Sequence, residues 1–338
     1  MKAQVLVFPE PRRVVIEEQD VPDPGPGQVL VRSLVTLIST GTDLTAYSGD
    51  FPRDRPSSWA RYVKYPFRPG YSAVGEVVAV GPGVEGIASG QTVFNSASHA
   101  SLALQPAERV VPLPESVPIE EAAWANISNI AMNGVRMAEL ALGEAVVIVG
   151  AGIVGEMAMQ YARLSGAFPL IAVDLSDRRL ENAERFGATH RVNPGREDLA
   201  ARVDEITRGR KADVAFEVTG NPTVIPTLPP LLRRRGRLIL LGSPRGPSTI
   251  DFHDEVHTFG LKVIGAHGSN HPPVETPVDV WTWRRSAELF LDLLRAGRVD
   301  VRDLVTHRFA WRQGPEVFEQ LLEDRTGFRG VILDWEGS

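Results

Sequence analysis

The chain contains no cysteine. That absence removes disulfides, cysteine nucleophiles and every zinc site built on thiolates, and leaves the redox compartment open. Long hydrophobic runs are missing too. No stretch reaches the ~18 apolar residues that a membrane span requires, and the longest, such as Ala145 to Val149, have strand length. The opening Met1-Lys2-Ala3-Gln4-Val5-Leu6-Val7-Phe8 is broken by Pro9 and Pro11 too soon for a signal peptide. A cytoplasmic protein with no membrane partner is expected. Excess positive charge is also absent: 36 Lys and Arg stand against 42 Asp and Glu, a net charge of −6. Proteins that grip phosphate backbones usually carry a basic face, so no nucleic-acid partner is expected. What is present is 338 residues, 43% hydrophobic and 23% charged. That is the balance of a soluble globular protein, long enough for two domains at about 150 residues each.

The N-terminal third reads as short strands between turns. Val29 to Val35 is β-branched and apolar and follows the Pro22-Asp-Pro-Gly-Pro-Gly27 punctuation; Val74 to Val80, Thr92 to Phe94 and Arg109 to Val111 continue the pattern. This spacing predicts a compact β domain. The pattern then changes. Ile119 to Leu142 predicts a helix with Glu120 and Glu121 in its first turn. Apolar strands then alternate with helices: Ala145–Val149, Leu170–Val173, Ala212–Val218 and Arg237–Leu241, with helical periodicity through Val154, Met157, Ala158, Tyr161 and Ala162, and again through Leu180, Ala183 and Phe186. Fully apolar strands between helices predict a doubly wound parallel sheet covered on both faces, an α/β domain. A helix over Arg284 to Ala296 and a terminal strand, Gly330 to Asp334, close the chain.

Gly150-Ala151-Gly152-Ile153-Val154-Gly155 joins the first of these strands to its helix. The first glycine permits a tight turn, the second lets backbone approach a pyrophosphate, and the third lets helix and strand pack closely. Gly150, Gly152, Ile153, Val154 and Gly155 are therefore candidate dinucleotide contacts. Asp174 ends the next strand, where a carboxylate accepts hydrogen bonds from ribose hydroxyls and repels a 2′-phosphate. NAD is favoured over NADP, although Arg178 and Arg179 follow closely.

Along almost its whole length the chain resembles the medium-chain dehydrogenase/reductases, the alcohol and polyol dehydrogenases. The residues that carry the resemblance are Pro24-Gly25-Pro26-Gly27-Gln28-Val29-Leu30-Val31, Gly41-Thr42-Asp43, Pro69 to Val77, the Gly150–Gly155 turn, Leu241-Gly242-Ser243-Pro244, Gly265-Ala266-His267-Gly268 and Arg329 to Leu333. The resemblance implies a barrel-like, GroES-like catalytic domain over 1–122 and 268–338, completed by the C-terminal segment, with a Rossmann domain over 123–267. It also implies a small-molecule substrate, a homodimer, and cofactor contacts from Arg179, Thr219, Ser243 and Arg329. In zinc-dependent members a cysteine precedes Gly-Thr-Asp and a His-Glu pair follows the later glycine. Here those positions hold Thr40, Tyr71 and Ser72, and the third ligand position falls on Ala125. The four-cysteine structural lobe is absent as well. No metal is therefore expected. His253-Asp-Glu-Val-His257 does not replace one, since its glutamate is misplaced for a zinc-protease helix. The run Ile38 to Asp43, with Tyr65-Pro66 and Pro69-Gly70-Tyr71, is most similar to a zinc-free subgroup that contains bacteriochlorophyllide dehydrogenase.

Without a metal, another group must hold the substrate oxygen and move its proton. The resemblance places Thr42 at a proton-relay position, to hydrogen-bond the substrate hydroxyl, and Tyr71 at the vacated metal position beside it, with Asp43 to orient or deprotonate the phenol and Thr40 as a further catalytic candidate. An unperturbed tyrosine titrates near ~10, and a nicotinamide cation would favour its ionised form. His267 lies in a segment the family places near the nicotinamide. Trp59, Tyr62, Tyr65 and Trp124 are candidates for an aromatic substrate wall. The leading expectation is an NAD-dependent, zinc-independent dehydrogenase of a secondary alcohol such as a sugar, cyclitol or natural-product hydroxyl. A zinc-free C=C or quinone reductase and a non-catalytic dinucleotide-binding protein remain open at this level.

Overall fold

The computed structural model describes residues 1–336. It divides into two compact units, Met1–Ile127 with Pro273–Ser338, and Ser128–Pro272; the sequence expectation put these divisions at 122/123 and 267/268. Among the described residues no helix is long and apolar enough to cross a membrane.

The first unit is built on the strand Gln28–Ile38. It pairs antiparallel with Ala73–Val80 (Val29 opposite Val80, Thr36 opposite Ala73), with Leu102–Pro106, and with the C-terminal Gly330–Asp334 (Val331 opposite Ile38). The last pairing brings the end of the chain into the N-terminal sheet. Val305–Ala310 lies parallel to Gly330–Asp334, and Thr92–Asn95 and Val110–Pro112 extend the other side, which makes a seven-stranded sheet. Leu6, Phe8, Ile38, Leu44, Phe318, Val331 and Leu333 pack into one core against it. Each large side chain buried this way contributes about 2 kcal/mol.

The second unit is a six-stranded, wholly parallel sheet in the order His190–Val192, Leu170–Val173, Val146–Val149, Ala212–Glu217, Leu232–Leu240, Lys262–Gly265. In chain order this is 3-2-1-4-5-6, the doubly wound dinucleotide-binding arrangement, whose ligand crevice lies where the order reverses. That switch point falls between Val146–Val149 and Ala212–Glu217.

Two helices differ from expectation. The run 119–142 is two helices, Ile119–Ala122 and Ala125–Met137, with the indole of Trp124 fully buried at the break. The expected helix through Phe186 is regular only over Asp177–Leu180. Beyond it Ala183, Arg185 and Gly187 bond three residues back rather than four, a tighter winding used in short pieces.

Candidate active site

In the first unit the strand Gln28–Ile38 runs out at Ser39, and the chain turns through Thr40 and Gly41 into the helix Thr42–Ser48. Two reciprocal bonds fasten this corner. The Asp43 N–H donates to Ser39 O at 2.8 Å, and the Ser39 N–H donates to Asp43 Oδ2 at 2.8 Å. Asp43 is fully buried, and its other oxygen accepts the Gly70 N–H at 3.1 Å. Gly70 sits at φ +90°, and a Cβ there would stand 2.7 Å from the His99 nitrogen, so both conformation and space demand glycine. The carboxylate thus ties the corner to the entry of strand Ala73–Val80. Tyr71 is delivered beside Ser39, and its Oη donates to Ser39 Oγ at 2.7 Å. From the other side Asn126 donates to the Tyr71 carbonyl, and Trp283 Nε1 holds Asn126 Oδ1 at 2.6 Å.

Burial pushes the Tyr71 phenol up to about 12; the Asp43 charge acts the same way, and the hydroxyls of Ser39 and Thr42 pull it back. Burial and the Asp43 charge both favour the neutral phenol, whereas the expected ionised form depends on a nicotinamide cation beside it. Asp43 shares no hydrogen bond with the phenol; its oxygens accept from the Ser39 and Gly70 amides. Thr42 opens its helix half-buried, and Thr40 is half-buried in the turn before it.

The positions where the resemblance places zinc ligands do not fit zinc. Ser72 is buried and donates to Ala123 O at 2.5 Å, Ala125 has no donor atom, and Tyr71 and Thr40 are neutral hydroxyls. Zinc takes thiolate, imidazole or carboxylate. Among the described residues no three His, Cys, Asp or Glu side chains gather as a metal site.

Of the expected aromatic wall, only Tyr62 is largely exposed, at 51%. Trp59 stacks on Phe51 at 6.1 Å, the Tyr65 hydroxyl donates to Ala46 O, and Trp124 is core. Trp124 is therefore corrected from wall to packing residue: its ring fills the space against Gly330, where a Cβ would collide with it.

In the second unit the helix Ile153–Leu164 follows directly from strand Val146–Val149 through the glycine turn. Gly150 adopts φ +110°, and a Cβ there would lie 3.1 Å from Thr219. A Cβ on Gly155 would run into the Gly150 carbonyl oxygen, whereas one on Gly152 would meet nothing within 4 Å. No side chain caps this helix, so its first N–H groups remain available to an anion. Val154 lies half-buried and Ile153 buried in that first turn. Asp174 Oδ2 accepts the Ala151 N–H at 2.8 Å and Oδ1 the Ser176 N–H at 2.9 Å, which pins the turn to the end of the second strand. Arg179 stands 3.6 Å from the same carboxylate.

Across the switch point, buried Glu217 accepts from the Thr219 amide at 2.7 Å, from the Thr219 hydroxyl, and from the Gly220 amide at 3.0 Å. Gly220 in turn packs on the backbone of exposed Ser243. A pyrophosphate at an uncapped, open-glycine turn with a carboxylate on the next strand is what a dinucleotide needs, and these residues fit one. His267 is exposed; its Nδ1 lies 2.7 Å from Ser269 Oγ, and its carbonyl accepts from Asn133 at 3.1 Å. Arg329 belongs to the first unit, where its N–H donates to Thr306 Oγ1 at 3.0 Å.

Ser39, His99, Asn126 and Glu217 were not singled out from sequence. Ser39 and Asp43 carry a signal, a carboxylate four residues after a serine at a strand end. His99 and Asn126 carry none, since their partners are distant in the chain.

A doubly wound dinucleotide unit in one chain with a β unit that carries a hydroxyl pair is the make-up of a nicotinamide-dependent oxidoreductase. Residues 25–115 match the alcohol dehydrogenase GroES-like domain, and residues 154–282 match the zinc-binding dehydrogenase domain. The chain is 31% identical to the L-threonine 3-dehydrogenase of Pyrococcus horikoshii, over 92% of both chains. Among solved structures it superposes on 2R,3R-butanediol dehydrogenase from Bacillus subtilis with TM-score 0.81 and 23% identity, covering 98% of this chain and 99% of that one. It also superposes on an alcohol dehydrogenase from Escherichia coli solved with NADH, with TM-score 0.84 and 20% identity over 99% of both. The chain belongs to the medium-chain, alcohol-dehydrogenase-like family, oxidoreductases that act on CH–OH groups with a pyridine dinucleotide.

Proposed function

We propose that the protein interconverts a secondary alcohol and its ketone with NAD and without a catalytic metal. The observation that carries this reading is the Tyr71–Ser39 hydroxyl pair, in which Tyr71 occupies a position where zinc-dependent relatives are expected to place a ligand. The name L-threonine 3-dehydrogenase supplies the reaction class, oxidation at a hydroxyl-bearing carbon, and not the substrate.

NAD, when bound, exchanges a hydride with the substrate carbon. The chain's own residues handle the oxygen. With substrate bound, Tyr71 Oη turns its one hydrogen from Ser39 Oγ to the substrate oxygen, and the Ser39 hydroxyl donates to Tyr71 in its place. Held near 12, the phenol is still a far stronger acid than an aliphatic alcohol, so it protonates the alkoxide formed on ketone reduction. In alcohol oxidation the same proton returns to Tyr71. Asp43 keeps the pair in register through the Ser39 and Gly70 amides. Gly150, Gly152, Ile153, Val154 and Gly155 hold the pyrophosphate, with Thr219, Ser243 and Arg329 as further cofactor contacts and His267 as a catalytic candidate near the nicotinamide. Asp174 selects NAD: a 2′-phosphate would face its carboxylate, and Arg179 is already spoken for by the same group. The edge strand Lys262–Gly265, with Val263 exposed, supports a homodimer joined edge to edge.

The test is a panel of secondary alcohols and ketones followed by NADH absorbance, with protein stripped by a chelator and assayed for metal. Turnover by metal-free protein that falls at least about a hundredfold in Tyr71→Phe supports the reading. Turnover that returns only with added zinc, or that is unchanged in Tyr71→Phe, overturns it.

A further inference from the structure

The imidazole of His99 takes no part in the chemistry above, yet it lies directly behind it. The side chain is fully buried. Its Nδ1 is 2.8 Å from Thr36 Oγ1, and its Nε2 is 3.5 Å from Asp43 Oδ2. The indole of Trp335 donates to the same Thr36 oxygen at 3.0 Å. These three contacts determine where the imidazole proton sits. An indole N–H can only donate, so Thr36 accepts there and has one hydrogen left to give. Its second lone pair is equally open to an Nδ1–H, so the Asp43 carboxylate decides the tautomer. With Nδ1 accepting, the ring proton is on Nε2 and faces the carboxylate. The opposite neutral tautomer would turn a lone pair on a desolvated carboxylate, a repulsion with no water to relieve it.

Asp43 is the clamp that sets the hydroxyl pair. One oxygen holds the Ser39 amide and the other the Gly70 amide, the residue before Tyr71. His99 also forms the wall on which Gly70 rests: a Cβ at Gly70 would be 2.8 Å from the His99 ring, and the His99 N–H donates to Pro69 O at 2.8 Å. Its ring therefore meets the clamp from two sides, by charge at Asp43 and by packing at Gly70.

We propose that His99 is a positioning residue: held as the Nε2–H tautomer by the Asp43 carboxylate and the Trp335–Thr36 relay, it supports that carboxylate and so sets the separation of the Tyr71 and Ser39 hydroxyls. The effect on rate rests on the dehydrogenase reading; the effect on geometry does not.

Two readouts test it separately. Long-range nitrogen–proton NMR of the seven histidines, with His99 assigned by its loss in His99→Gln, should show Nε2–H in the wild type, and Thr36→Val should weaken that preference. A wild-type Nδ1–H tautomer overturns the proposal. The carbon resonance of the Tyr71 ring that bears the hydroxyl, assigned with Tyr71→Phe, should move in His99→Leu and return in His99→Gln, whose amide N–H reaches the same carboxylate. Identical Tyr71 signals in wild type and both variants overturn it, with no substrate needed. In turnover, His99→Leu should lower kcat about tenfold to a hundredfold, the scale of a small misplacement of reacting groups, with KM for NAD unchanged. His99→Gln should regain most of the rate. If His99→Leu does not fold, His99→Gln and Thr36→Val carry the test. Absence of any turnover in wild type would sink the dehydrogenase reading while leaving the NMR outcome to decide this one.

Discussion

The Tyr71 hydroxyl donates to Ser39 Oγ at 2.7 Å, and this bond, with the hydroxyl of Thr42, opposes the burial and the Asp43 charge that raise the phenol to about 12. Alcohol oxidation needs the ionised phenol as base, so its rate should climb with pH through the neutral and alkaline range. Ketone reduction uses the neutral form and should stay level there. Ser39→Ala removes a group that favours ionisation. The phenol then rises further and the oxidation profile shifts to higher pH, by up to about one unit for the loss of a bond contributing ~1 kcal/mol. Paired pH–rate profiles check this, and an unchanged oxidation profile in Ser39→Ala would remove Tyr71 from the proton path.

Glycines 152 and 155 should separate binding from folding. Gly155→Ala drives a methyl into the Gly150 carbonyl, where backbone must move, and about 3 kcal/mol of stability should be lost. Gly152→Ala meets no atom within 4 Å and should fold with nearly wild-type Tm. Its methyl occupies the space through which a pyrophosphate approaches, so NADH should protect it far less against heat than it protects the wild type. Equal protection of Gly152→Ala would move the pyrophosphate elsewhere.

Cofactor choice turns on Asp174. NADH should raise Tm more than NADPH in the wild type, since ligand bound only to the native state stabilises by mass action. Asp174→Asn keeps an oxygen for the Ala151 amide and discards the charge. The preference should shrink about tenfold, equivalent to ~1.4 kcal/mol. An unaltered ratio of NADH to NADPH affinity in the variant would mean that another group reads the ribose.

Glu217 should register as a pH-dependent cost. Burial raises its carboxyl above the usual range, against hydrogen bonds from Thr219 and Gly220 and the Arg245 charge that lower it. A group raised in the folded state binds its proton more tightly there than in the unfolded chain. Its contribution to stability is present at acid pH and is lost as pH rises through the folded value. Glu217→Gln does not titrate, so Tm of the wild type should fall relative to the variant between about pH 4 and neutrality. A constant difference across that range, measured by calorimetry, would show that the carboxyl is not raised.

Much of this molecule is legible one residue at a time. The alternation of apolar strands and amphipathic helices after Gly143 is periodic, and period alone predicts a covered parallel sheet. The Gly150–Gly155 turn is a local motif whose glycines are explained by contacts within a few residues or across one strand. The ligand positions at Thr40, Tyr71, Ser72 and Ala125 need only residue identity, because neutral hydroxyls and a methyl cannot hold zinc. The breaks at Trp124 and after Leu180 were not legible, because the packing partner of Trp124 is Gly330 and no local period reports it.

The missing cysteines and the ligand-poor positions were determined by sequence alone, since the identity of an atom does not depend on where the chain places it. The surroundings of Tyr71, the partners of Asp43 and the presence of His99 behind it were decided only by the tertiary structure. Charge state and hydrogen-bond partner are properties of an environment, and here that environment is assembled from residues 36, 39, 43, 70, 99 and 335, segments that only the folded sheet brings within reach of one another.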